Sequence, residues 1–193
     1  MARRDKDSKR EKRNKIIIGL ILSFFMITGI LGVFQGDTGE TLFYNEQKFE
    51  KVNNVYYTEI NDVIMGFNYY PAMLENITVT GNIRNVYDNS QVLVYNFDPD
   101  SPSLTQIEYV RYDLAQNLAK PSTATITKKS PIYQLPISTC ANSTYPVPVV
   151  YFKDGSDLSI VEQDSCITLQ GNSSQFYMLR DRFMYELLGV MNG

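Results

Sequence analysis

Histidine is absent from this chain, and so is tryptophan. The first absence removes imidazole general bases, Ser-His-Asp and Cys-His arrangements, and histidine metal ligands. Only two cysteines occur, Cys140 and Cys166. They are too few for a Cys-based structural zinc site within one chain, and no metal centre is assigned. A G-x-S-x-G elbow, an S-x-x-K pair and a GxxxxGK[ST] loop are all missing. The sequence therefore names no catalytic residue and no cofactor. After residue 15 there is no low-complexity tract and no internal repeat.

Charge is missing altogether from 16–34, which reads IIIGLILSFFMITGILGVF. As a helix this stretch would reach about 28 Å, close to the roughly 30 Å of a bilayer's hydrocarbon core. A helix satisfies its own backbone in lipid, so a transmembrane helix is predicted over 16–34. Gly19 with Ser23, and Thr28 with Gly32, are either a weak small-xxx-small seam or ordinary anchor composition.

The flanks differ sharply in charge. Arg3, Arg4, Lys6, Lys9, Arg10, Lys12, Arg13 and Lys15 outweigh Asp5, Asp7 and Glu11 for a net of +5, and the remainder of the chain carries −8. Basic flanks stay in the cytoplasm. The expected layout is a cytoplasmic tail over 1–15, a single-pass anchor in the cell membrane over 16–34, a linker over 35–40 and an exported domain over 41–193. The lipid bilayer is the first partner. The tail reads as a topology signal, with anionic lipid or nucleic acid as lesser uses. The acidic exported part argues against nucleic acid there. Gly32-Val33-Phe34-Gln35 offers no small-x-small cleavage site, and no cysteine follows the apolar run as a lipoprotein would need. A pilin-type leader resembles the outline, but Asn14-Lys15 stands where that family has a small residue.

The exported part is long enough for one domain with a core and too short for two. It is rich in tyrosine, whose ring packs while its hydroxyl stays wet. Three N-x-[ST] sequons, at Asn76, Asn142 and Asn172, are candidate glycosylation sites in an exported domain.

Runs at 41–44 with 48–52, 55–60 and 63–70, broken by Asn53-Asn54 and Asn61-Asp62, predict an antiparallel meander. A helical turn is expected at 71–75 and a short strand at 77–83. The segment 91–97 is apolar on both faces and predicts a central strand. Ser103 to Gln106 fits a capping box, followed by the stripe Leu104, Ile107, Val110, Leu114 and Leu118, which Pro121 ends. An edge strand at 123–127, an irregular Pro-rich segment at 131–148 and a buried strand at 147–152 come next. Strands at 158–161 and 166–169 precede a last helix, starting near Ser173 or Ser174, with the stripe Phe176, Leu179, Phe183 and Leu187 and Gly189 as its C′ residue. The fold class is α+β: one mixed sheet, combining the meander with a strand–helix–strand unit, and two helices on one face.

Four places could carry function. Cys140 and Cys166, in an exported domain, most simply form a disulfide; free thiols and a redox pair are the alternatives, although redox pairs usually sit two residues apart. Asp98 and Asp100, between a central strand and a helix, suit a strand-to-helix turn or a hard cation. The segment from Gly171 to Ser174 suits a cap, or an anion at a helix start. Arg180-Asp181-Arg182 reads as a solvated face with local ion pairs, or as a docking patch for another subunit.

Pro146 to Phe152 (PVPVVYF), Asp164 to Gly171 (DSCITLQG) and Phe176 to Met191 (FYMLRDRFMYELLGVM) together resemble short single-pass membrane proteins of small-genome archaea. The resemblance implies an archaeal cell-surface context and the paired use of Cys140 with Cys166. It implies no activity. The expected function is a non-enzymatic, membrane-anchored surface domain that binds a protein partner, forms a homo-oligomer or joins an envelope assembly. A tethered thiol-redox or carboxylate enzyme, and a pilin-like filament subunit, are the alternatives.

Overall fold

The described residues open with four short strands: β1 (Glu40–Tyr44), β2 (Gln47–Val52), β3 (Val55–Ile60) and β4 (Val63–Phe67). Each is joined to the next by two residues with positive φ: Asn45-Glu46, Asn53-Asn54 and Asn61-Asp62. This is the backbone of primed hairpin turns, whose twist matches the flanking strands, and asparagine tolerates it better than most side chains. The segments 41–44 and 48–52, grouped as one run in the sequence, are thus two strands of a third hairpin. Phe49, Tyr56, Thr58 and Phe67 point inward, while Lys48, Glu50, Tyr57 and Glu59 point outward. That is the period-two alternation of a half-buried sheet.

The computed structural model describes residues 39–191. The basic tail, the apolar span 16–34 and most of the linker lie outside the described residues. Among the described residues no helix is long and apolar enough to cross a membrane.

A second sheet has six strands: β5 (Thr78–Thr80), β6 (Leu93–Phe97), β7 (Ser122–Ile126), β8 (Val149–Asp154), β9 (Ser159–Gln163) and β10 (Cys166–Gly171). Their order is β5-β9-β10-β8-β6-β7. β10, β8, β6 and β7 are mutually parallel; β9 is antiparallel to β10, and β5 runs with β9. The α+β class holds, but the single mixed sheet is corrected to two sheets. The meander does not extend the larger sheet; its inner face is buried in the shared core instead.

Among the described residues three α-helices replace the two expected in the domain: α1 (Ile83–Asn89), α2 (Leu104–Asn117) and α3 (Phe176–Leu188). The extra helix begins where a strand was expected to end. Gly81, at φ +92°, turns the chain, and a Cβ there would stand 2.6 Å from the Glu162 carbonyl oxygen. Asn82 then caps α1, its Oδ1 accepting from the Asn85 N–H at 3.2 Å. Gly189 closes α3 in the left-handed region, φ +74°, as its position predicts.

Leu93, Tyr95, Phe97, Val150, Phe152, Ile167 and Leu169 share one face of the six-stranded sheet and one core with the buried sides of all three helices. The opposite face has a smaller cluster, Val94, Val149 and Cys166. Helix α3 is the hub, packing on β9, β10, α1 and α2 and on the turn Pro71–Leu74 that follows the meander.

Candidate functional site

The parallel strands end together on one edge of the six-stranded sheet, and the chain leaves that edge into α2 and α3. Ligands favour such strand ends in α/β sheets. Asp98 and Asp100 stand here, on the turn between β6 and α2. Lys128, just beyond β7, reaches both: its Nζ is 3.0 Å from Asp98 Oδ1 and 2.9 Å from Asp100 Oδ2. Burial would raise Asp98, but the Asp100 N–H and the Lys128 ammonium outweigh it and hold the carboxyl below its usual range. The two carboxylates in turn hold Lys128 above its usual value. Beside them, at the end of β8, the Asp154 carboxylate accepts hydrogen bonds from the Ser101 and Ser103 hydroxyls. Ser103 is the residue before α2, but its hydroxyl goes to Asp154 and makes no cap bond to its own helix. The predicted capping box is therefore replaced by a tertiary contact. Among the described residues no group of three or more acidic or cysteine side chains is arranged to hold a metal ion.

Cys140 and Cys166 are joined as a disulfide, with Cα atoms 5.3 Å apart. Cys166 is buried at the start of β10 and Cys140 is exposed in a short turn of the Pro-rich segment. The bridge pins that segment to the back of the larger sheet. Polar contacts reinforce it: the Asn96 amide donates to Thr125 Oγ1 at 3.0 Å and to the Ser138 carbonyl at 3.1 Å, and the Ser143 hydroxyl donates to the Ser165 carbonyl at 2.8 Å. Asn76, Asn142 and Asn172 are all exposed. Asn172 Oδ1 accepts from the Ser174 N–H, capping the turn that leads into α3. This is the cap expected between Gly171 and Ser174.

The largest departure from the sequence reading lies on α3. Arg180, Asp181 and Arg182 are all buried, so the solvated face is corrected. The meander covers this side of the helix. Asp181 Oδ2 accepts from the backbone N–H groups of Asn68 at 2.7 Å and Tyr69 at 2.8 Å, just past β4. Arg180 pairs with Asp181 at 2.6 Å and with Asp113 of α2, and donates to the Gly66 carbonyl at 3.2 Å. Its guanidinium lies over the Phe67 ring, 5.4 Å from the centroid. One turn on, Tyr185 stacks on Phe67 at 4.2 Å and donates to the Tyr69 carbonyl at 2.9 Å. Burial pushes the Asp181 carboxyl up to about 6, against the pull of Arg180 and the two backbone donors. Burial also raises the Tyr185 phenol.

Next to this joint lies a cleft lined by the phenols of Tyr57, Tyr109 and Tyr177, with Asp113 and Arg180 among its other walls. The rings of Tyr109 and Tyr177 meet edge to face at 5.4 Å. Neither the joint nor the cleft was identified from sequence. The available signal was the helix itself: in FYMLRDRFMYELL the charged triplet is flanked on both sides by large apolar residues, leaving no polar face for solvent.

No family model matches the chain, and neither a curated protein nor a solved structure does.

Proposed function

We propose that this chain is a membrane-anchored, extracytoplasmic domain that acts by binding, either to a partner protein or as a subunit of an envelope assembly, with no chemistry of its own. The observation that carries the binding part is the exposed tyrosine surface around the cleft. Tyr109 and Tyr112, one turn apart on α2, are 57% and 63% exposed, and Tyr57 on the meander is 39% exposed. Tyrosine is enriched at protein interfaces because it offers a large rigid ring and a polar tip at low entropic cost.

The anchored, outward-facing part has separate support. The span 16–34 and its basic flank set the topology, and a disulfide persists best in an oxidising compartment. The archaeal surface context is an expectation from the C-terminal resemblance and is carried as part of this proposal. The test is chemical crosslinking in intact membranes, followed by purification of the full chain in detergent and mass analysis. A crosslinked partner or homo-oligomer is expected, and its yield falls when Tyr109 and Tyr112 are both changed to alanine. A chain that remains monomeric and uncrosslinked overturns the proposal.

A further inference from the structure

We infer that the tyrosine-lined cleft beside Arg180 is a binding site for an alkylammonium group, such as the end of a lysine side chain offered by the partner. The inference deepens the binding function proposed above and rests on it.

Size narrows the ligand first. The cleft holds about 120 Å³. Sites for drug-sized ligands run to roughly 300–1,000 Å³, so this one takes a headgroup and not a nucleotide or a peptide segment.

The walls narrow it further. Three phenol rings, Tyr57, Tyr109 and Tyr177, line the cleft. Aromatic faces carry negative potential and attract ammonium groups. Tyr57 is held in place by the residue opposite it on β4. There a Cβ on Gly66 would come within 3.2 Å of the Tyr57 ring, so glycine allows the ring to lie across its neighbour strand.

Charge decides the sign. Among the described residues Arg180 is the only base in the lining, and it is turned inward. Its Nε goes to Asp113 and its Nη1 to Asp181 and the Gly66 carbonyl, and its side chain is only 8% exposed. One guanidinium thus faces two carboxylates, and with both ionised, above about pH 6, the triad carries a net charge of −1. Asp181 is fully buried, whereas the Asp113 side chain is 26% exposed. The more exposed carboxylate, Asp113, whose Oδ1 also accepts from the Asn117 amide at 3.1 Å, therefore stands at the aromatic wall, and an anion would meet both the rings and Asp113. An ammonium meets the aromatic wall and finds the surplus negative charge.

The test is an NMR titration of the full chain in a maltoside detergent, with tetramethylammonium chloride and with Nα-acetyl-lysine methylamide as separate probes. Saturable shifts at Tyr57, Tyr109 and Tyr177 are expected with at least one of them, and the tighter probe assigns a quaternary or a lysine-type head. Tyr109→Ala, a change at an exposed side chain, weakens binding about threefold to tenfold, and Tyr109→Phe retains it. No shift with either probe, unchanged affinity in Tyr109→Ala, or saturable binding of sodium sulfate at the same residues overturns the inference. Crosslinking of the Tyr109→Ala chain separates the two levels. A partner captured as well by Tyr109→Ala as by the unaltered chain rules out the cleft and leaves the binding function standing. Ammonium binding without any crosslinked partner does the reverse.

Discussion

Helix α3 is buried on two sides that are built differently. Towards the six-stranded sheet it presents the apolar stripe Phe176, Leu179, Phe183 and Leu187, which packs in the shared core. Towards the meander it presents Arg180, Asp181 and Tyr185, and that side adds to the Phe67–Tyr185 stack charge-assisted hydrogen bonds to the backbone of Gly66, Asn68 and Tyr69 and a phenol bond to the Tyr69 carbonyl. The difference teaches what each contact is good for. Apolar packing is non-directional and tolerates small slips, whereas a carboxylate bound to two specific N–H groups fixes where a small sheet sits. The meander shares no strand pairing with the larger sheet, and the joint on α3 fixes its position.

The largest expected effect comes from the apolar side. Phe183→Ala leaves a cavity in the shared core and costs about 3–5 kcal/mol, read by urea unfolding, with hydrogen-exchange protection lost in both sheets. Asp181→Ala follows at roughly 3 kcal/mol, because Arg180 keeps Asp113 while two backbone donors lose their acceptor. Its signature is local: protection falls in β2 to β4 first and persists in β6, β8 and β10. Equal loss in both sheets would erase the distinction between the two sides of α3.

Cys140→Ser with Cys166→Ser is expected to cost about 3 kcal/mol in the chain-entropy treatment of a loop this long, again without releasing the meander. The pH response sharpens the contrast further. With its folded pKa near 6, above the usual carboxylate value, Asp181 contributes stability that is fully present below the unfolded pKa of about 3.9 and is lost as pH rises through 6. Asp181→Asn removes that slope between pH 4 and 7, measured as the difference between the two unfolding curves. The smallest effect belongs to Lys128→Ala. Its ion pairs to Asp98 and Asp100 are largely exposed and screened by water, so the change leaves the urea unfolding midpoint nearly unmoved.

The parts of the fold that were legible in sequence are the ones specified locally. Asn53-Asn54 and Asn61-Asp62 announce hairpins because few other residues accept positive φ in succession. The stripe from Leu104 to Leu118 announces α2, and the apolar segment around Tyr95 announces a central strand. Gly189 ends α3 for a reason visible in its own backbone preference. What was not legible depends on distant partners. Ser103 had a local capping role available, but Asp154, far along the chain, takes its hydroxyl. Helix α1 is short, and its cap residue Asn82 is held by Glu162, so 77–83 looked extended. The charged triplet on α3 looked solvated because charge in a sequence shows neither a backbone acceptor nor a covering sheet. The cleft was hidden for the same reason: its three tyrosines come from the meander, α2 and α3.

The most direct measurement is protease treatment of intact cells expressing the full chain, followed by non-reducing gel analysis. The account predicts cleavage in the polar stretch before β1, release of a folded fragment that keeps its Cys140–Cys166 bridge, and retention of the basic tail with the membrane. A full-length chain that survives until the cells are lysed would contradict it.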